Sequence, residues 1–98
     1  MLDEKCKEII TKSNTMLVPW WIISAWCYED GTPIISDGLF DSLAIQLDQM
    51  WDFIDHPHKK LLDRSILKSS IAINGKWPNM AIGSAKLLQK ELSTRKQN

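Results

Sequence analysis

Apolar side chains recur at helical spacing in two stretches of the chain, one at the amino terminus and one after Ser36. In the first stretch they lie at i, i+4, i+7 and i+8: Leu2, Cys6, Ile9 and Ile10. The second stretch continues such a face over more turns: Leu39, Phe40, Leu43, Leu47, Met50, Trp51 and Ile54. This spacing predicts two amphipathic helices, and the Ser36 hydroxyl can cap the second. Between them, residues 19–29 are apolar nearly all round, which favours a central helix packed on several sides.

The pattern weakens in the carboxyl-terminal half. A short basic helix is expected around residues 61–66. A loop and a short β-hairpin near residues 70–78 both fit, because Asn74-Gly75 favours a tight turn whereas Pro78 interrupts the return strand. Asn79 can cap a last helix, which fades into a polar tail.

These patterns predict a mainly α fold. The 98 residues are enough for one modest core but not for two. We expect a single small helical domain over residues 1–98, with about four helices around a central helical hairpin. Within it, residues 2–55 form the helical core, residues 56–92 a basic extension and residues 93–98 the polar tail.

Charge is strongly segregated although the formal net charge is zero. Residues 29–55 contain seven acidic side chains and no basic one, whereas residues 56–98 contain nine Lys or Arg and only two acidic residues. The two halves either face each other or solvate the surface, or they present differently charged faces to two partners. Zero net charge argues against a strongly electrostatic nucleic-acid binder.

Residues that could carry chemistry are few. Cys6 and Cys27 form no CxxC pair and no disulfide framework, which favours a reducing, cytoplasmic setting. The longest apolar run, residues 16–28, is too short for a membrane span, and the amino terminus lacks the order of a secretory signal. His56 and His58 have no further ligands at zinc spacing, so no metal site is expected. Without a Gly-rich phosphate loop, GxSxG or HExxH, an enzyme is the less favoured class.

One segment matches a known pattern: Ile35-Ser36-Asp37, Phe40-Asp41, Leu43 and Leu47, followed by His56-Pro57. With the aromatic residues before it, this stretch resembles the small amino-terminal domain Ia of bacterial NAD-dependent DNA ligases. The family pattern is an aromatic pair, a short gap, then Asp-x-Pro-x-Ile-Ser-Asp-x-Glu-Tyr-Asp-x-Leu-x-x-Glu-Leu and a later His-Pro. The likeness covers about a third of the chain.

The resemblance implies a small helical unit that binds the nicotinamide mononucleotide half of NAD. Carried over by position, the ligand-binding candidates are Trp26 as the stacking aromatic, with Tyr28 as the alternative, and Asp37, Phe40 and Asp41. An indole and two carboxylates suit a cationic nicotinamide ring.

The chain departs from the family pattern at several positions. Residues 30–33 are one residue longer than Asp-x-Pro, Leu39 replaces the glutamate of a capping box with Ser36, and Phe40 lacks the tyrosine hydroxyl. The chain also contains no Lys-x-Asp-Gly nucleotidyltransferase motif. We therefore expect a free-standing Ia-like module, of the sort that an accessory or phage-encoded protein would be, and not a complete ligase.

Three functions follow as hypotheses. The favoured one is a non-catalytic protein that binds and modulates a bacterial host protein, because five tryptophans and two charged halves are suited to an interface. Its expected interaction surface consists of Trp20, Trp21, Trp51, Asp48 and Asp52. The second is a binder of a nicotinamide nucleotide (NMN or NAD), and the third is weak nucleic-acid binding through the basic half. The oligomeric state is left open.

Overall fold

A computed structural model describes the backbone of residues 1–96 and the side chains of residues 1–94. Within that part the chain forms four α-helices, which confirms the mainly helical prediction. They are α1 (Asp3–Lys12), α2 (Leu17–Glu29), α3 (Asp37–Gln49) and α4 (Asn79–Lys96). Short 3-10 turns lie between them: Asn14–Met16, Trp51–Phe53, Lys59–Leu61 and Arg64–Ile66.

Helix α2 is the centre of the fold. Nine of its 13 residues are buried, and it packs against both α3 and α4. A helix covered by neighbours on several sides has no polar face, which explains why its sequence is apolar nearly all round. Pro19 lies in its first turn, where the missing N–H has no intrahelical acceptor to lose.

Hydrogen bonds join the start of α3 to the start of α1. The Ser36 hydroxyl accepts a hydrogen bond from the Leu39 amide at 3.2 Å and so caps the helix. The Asp3 carboxylate in turn accepts from the Ser36 amide at 2.9 Å and from the Ser36 hydroxyl at 2.6 Å. Next to it, the Leu2 amide donates to the Ile34 carbonyl at 2.7 Å.

The region between α3 and α4 differs from the sequence expectation. The predicted short basic helix is replaced by the two 3-10 turns between residues 59 and 66. The described residues contain no hairpin across Asn74-Gly75; instead Ile73 forms an isolated antiparallel bridge with Leu62. The Asn74 amide donates to the Leu61 carbonyl at 2.6 Å. The return strand fails because Pro78 has no N–H to donate, and pairing with residues 61–63 takes its place.

Both halves of the chain contribute to one core. Buried side chains from α1, α2 and α3 form a single cluster with buried residues of the carboxyl-terminal half: Leu62, Leu67, Ala72, Ala81, Ala85 and Leu92. An ion pair of 2.7 Å between Lys5 and Glu91 joins α1 to α4 at the rim. Among the described residues, no helix is both long and apolar enough to cross a membrane.

Candidate functional site

A pocket of about 370 Å³ opens where the end of α2 meets the start of α3. We call it the Tyr28 pocket. It is lined by Tyr28, Asp37, Phe40, Asp41, Lys68, Ser69 and Ser70. Its volume lies within the range of small-molecule sites, roughly 300–1,000 Å³.

The two helices position the residues on one side of the pocket. Tyr28 lies in the last turn of α2 and is 49% exposed. Asp37 and Asp41 are one helical turn apart on α3 and therefore share a face. Phe40 is 8% exposed, and its ring centroid lies 5.6 Å from that of Trp21. The pocket thus has an apolar base, an accessible phenol and two carboxylates.

The opposite side is a loop that α2 holds in place. The buried Trp21 indole donates a hydrogen bond of 2.8 Å from Nε1 to the Leu67 carbonyl, one residue before Lys68. The Ser70 hydroxyl donates to a carboxylate oxygen of Glu29 at 2.8 Å. These two hydrogen bonds hold residues 68–70 against α2, one just before the segment and one at its last residue.

The pocket carries separated charges. Asp37, Asp41 and Lys68 have no ion-pair partner among residues 1–94. Asp37 lies in the first turn of α3, where a negative charge is favoured by the helix dipole. A ligand that carries both a cationic and an anionic group would find a charge of opposite sign for each in this lining.

Four of the five ligand-binding candidates from the sequence line this pocket: Tyr28, Asp37, Phe40 and Asp41. Trp26 does not line it and is instead half-buried against the core. Two residues along a helix correspond to a rotation of about 200°, so Trp26 and Tyr28 face opposite sides of α2. The alternative register, with Tyr28 as the aromatic, is the one compatible with this pocket.

Sequence reasoning missed Lys68, Ser69 and Ser70. They lie about 30 positions from Asp37 in a segment without periodicity, and the hydrogen bonds that hold this segment against α2 join residues more than 40 positions apart. The general excess of basic residues after position 56 was the one available signal, and it singled out no residue.

Part of the expected interaction surface was wrong. Trp20 and Trp21 are 3% and 0% exposed, because α2 is covered by both α3 and α4. Trp51 is half-buried, while Asp48 and Asp52 are exposed. None of the five tryptophans is exposed, so they form no exposed aromatic patch.

The acidic and basic halves meet at Trp51. The Lys59 ammonium lies 4.9 Å from the ring centroid and the Arg64 guanidinium 5.6 Å from it. Arg64 also donates to the Asp48 carboxylate at 2.8 Å, and Lys59 donates to the carbonyls of Trp51 and Ile54. Here the two charged halves face each other, as one of the sequence alternatives proposed.

Other concave regions of the described structure include a groove beside α3 and a cavity beside α4. The α3 groove, about 750 Å³, lies between α3 and residues 64–68. The α4 cavity, about 430 Å³, is lined by Pro19, Ile22, Ile23, His56, Pro57, His58, Met80, Ala81 and Ser84. Burial, with the neighbouring His58, lowers the pKa of His56. The described residues include no cluster of three or more potential metal ligands.

The cysteines contribute no reactive thiolate. Burial raises the pKa of Cys6 to about 12, with a smaller contribution from the nearby Asp3 carboxylate. Burial likewise raises the pKa of Cys27 to about 11, aided by Asp30. Both thiols are free and buried, as is usual for cysteines that serve as core side chains.

Neither the family models, the curated proteins nor the solved structures gave a match to this chain. The likeness to the ligase domain Ia therefore stays a prediction from the sequence pattern.

Proposed function

We propose that this protein is a non-catalytic binding module whose Tyr28 pocket holds a nicotinamide nucleotide, with nicotinamide mononucleotide as the simplest form. The observation that carries the proposal is the meeting of Tyr28, Asp37 and Asp41 with Lys68 in one pocket. The motif resemblance also selects Asp37 and Asp41, and it offers Tyr28 as the alternative to Trp26.

In this proposal the nicotinamide ring lies against Tyr28, Asp37 and Asp41. The ring is cationic and flat, so it is attracted both to the face of the exposed Tyr28 phenol and to carboxylates. Asp37 and Asp41 supply two negative charges without a cationic partner in the described part of the chain. A neutral ring of the same shape would lose the electrostatic share of this attraction.

The phosphate of the ligand lies against the residues of the loop that lines the pocket. Lys68 supplies an ammonium group, and Ser69 and Ser70 supply hydroxyl donors on the same wall. Charged hydrogen bonds of this type are about twice as strong as neutral ones. Since Ser70 already donates to Glu29, Lys68 and Ser69 are the principal phosphate contacts in this proposal.

The test is a titration of the full chain with nicotinamide mononucleotide, followed by amide chemical shifts and by tryptophan fluorescence. Asp41→Asn and Lys68→Ala should each weaken binding by about tenfold, the scale of one lost charged contact. Glu4→Gln is the matched control, because Glu4 is an exposed carboxylate on α1, outside the pocket. No shift change at millimolar ligand would remove the proposal.

Two related ligands test the contacts to the nicotinamide ring and the contacts to the phosphate separately. Reduced nicotinamide mononucleotide has a neutral ring, so it should bind the wild type more weakly than the oxidised form does. In Asp41→Asn the difference in affinity between the oxidised and reduced ligands should be smaller. Nicotinamide riboside lacks the phosphate and should be indifferent to Lys68→Ala. If the wild type binds all three ligands equally, the charges do not act as proposed.

We propose protein binding, the function favoured by the sequence, as a second candidate. The buried tryptophans no longer support it, but the α4 cavity does. Its lining is mostly apolar, and Met80 at its edge is 79% exposed. Methionine adapts to varied partner surfaces. A pull-down from bacterial lysate should yield a partner with the wild type and lose it with Met80→Glu; equal recovery with both would exclude this surface.

A further inference from the structure

Phe53 is an aromatic side chain with no place in the core. It ends the 3-10 turn Trp51–Phe53 after α3 and is 80% exposed. Two acidic residues lie beside it in the sequence, Asp52 and Asp55, both exposed and neither ion-paired within residues 1–94. Aromatic residues, phenylalanine among them, are enriched at protein–protein interfaces relative to the rest of the protein surface.

The α3 groove has the complementary character. Ala44 and Leu67 are almost fully buried where they line it, whereas Ile45 and Ile66 on its two sides are each 45% exposed. Lys68 lines the same groove and is not ion-paired in the described part of the chain. The groove therefore offers apolar surface beside an available cation, and Phe53 offers an apolar ring beside available carboxylates.

Phe53 does not fill the groove of its own chain. It is 80% exposed and is not among the residues that line the groove. Asp48 and Arg64, which line the groove, form an ion pair of 2.8 Å, and the Arg64 guanidinium lies 5.6 Å from the ring centroid of Trp51 in the 3-10 turn. A ring that its own fold leaves outside a neighbouring apolar groove is available to a second molecule.

We propose that the chain forms a twofold dimer in which Phe53 of each copy enters the α3 groove of the other. Lys68 of one copy then faces the carboxylate of Asp52 or Asp55 of the other. In a twofold interface the same two surfaces meet twice. The geometry suits this arrangement, because Phe53 and the groove both adjoin the carboxyl-terminal half of α3, which brings both contacts close to one axis.

The dimer is expected to be weak and reversible. A buried aromatic side chain removes about 150–250 Å² from water, and stable interfaces bury about 1,200–2,000 Å² in total. Two rings contribute about 300–500 Å² by this measure, and the exposed parts of Ile45 and Ile66 add less than that, so the contact stays below the range of stable interfaces. Interfaces below the standard size belong to weak, transient complexes.

Analytical ultracentrifugation of the full chain tests the proposal, from low micromolar to near-millimolar concentration. The wild type should pass from monomer to dimer, and Phe53→Ala and Ile45→Glu should each weaken the dimer by at least about tenfold, the effect of losing an interface anchor. Leu87→Ala is the matched control, since Leu87 is 71% exposed on α4. Circular dichroism verifies that each variant is folded.

Mixing the two deficient variants tests the pairing itself. Phe53→Ala keeps an intact groove and Ile45→Glu keeps the phenylalanine, so the mixture can form one of the two contacts and should associate more strongly than either variant alone. A wild type that is monomeric throughout, or a Phe53→Ala protein that dimerises like the wild type, would overturn the proposal and leave the groove to another occupant. Failure of the mixture to associate would equally overturn the pairing of Phe53 with the groove.

Discussion

Replacement of Trp21 by phenylalanine should destabilise the protein more than its small change in volume suggests. Trp21 is fully buried, and its indole N–H donates to the Leu67 carbonyl at 2.8 Å. Phenylalanine cannot donate, so the buried carbonyl loses its partner at a cost of about 1–3 kcal/mol. The smaller ring adds a cavity term of about 1 kcal/mol. Together these give about 2–4 kcal/mol, out of a total that is typically about 5–15 kcal/mol.

Urea denaturation followed by circular dichroism measures the change in the free energy of unfolding. Trp26→Phe is the control, because Trp26 is only half-buried and its indole makes no hydrogen bond in the described structure; its cost should stay near 1 kcal/mol or below. A Trp21→Phe protein within about 0.5 kcal/mol of the wild type, the range of ordinary surface changes, would refute the structural role assigned to this bond.

Three further predictions concern side chains outside the Tyr28 pocket. Lys59→Met should cost about 1–2 kcal/mol, since it leaves two carbonyls after α3 without their charged donor; the exposed Lys60→Met should leave the melting temperature unchanged, and equal effects would contradict this. Cys6 and Cys27 should react with a thiol reagent at mildly alkaline pH only after unfolding, because burial raises both pKa values; fast labelling of the native protein would refute it. Burial lowers the pKa of His56 below 6.5, so the unfolded chain binds protons first as the pH falls and stability declines below about that pH. The decline, measured as the urea midpoint against pH, should be smaller in His56→Gln; an identical profile would show that another group is responsible.

The parts of the fold that were predictable are those governed by local sequence. The apolar spacing of α1 and α3 and the Ser36 cap depend on residues within a few positions of each other. Asn79 begins α4 in the structure. By contrast, Asn74-Gly75 predicted a local hairpin, but the structure pairs Ile73 with Leu62, a choice between distant partners that no local signal reveals.

The candidate site was predictable on one side only. Asp37, Phe40 and Asp41 were carried over from the ligase-like motif at the start of α3, whereas the position of Lys68 depends on contacts between distant residues, among them a hydrogen bond between residues 46 positions apart. The error at Trp20 and Trp21 has a related cause. A helix that is apolar all round does not reveal which tryptophans face the core, and here α3 and α4 cover both.

Two departures from the ligase-like pattern have different consequences. Leu39 stands where a capping-box glutamate would be, but Asp3 supplies the missing acceptor to the Ser36 amide, and Leu39 is 7% exposed and adds apolar burial to the core. That departure is compensated within the fold. Phe40 is different, because its buried ring brings no hydroxyl to the pocket and no neighbour on α3 replaces it. In the proposed function the polar contacts of the ligand therefore come from Tyr28, the two aspartates, Lys68 and Ser69, which is why the charge-changing variants, and not changes at Phe40, test the pocket.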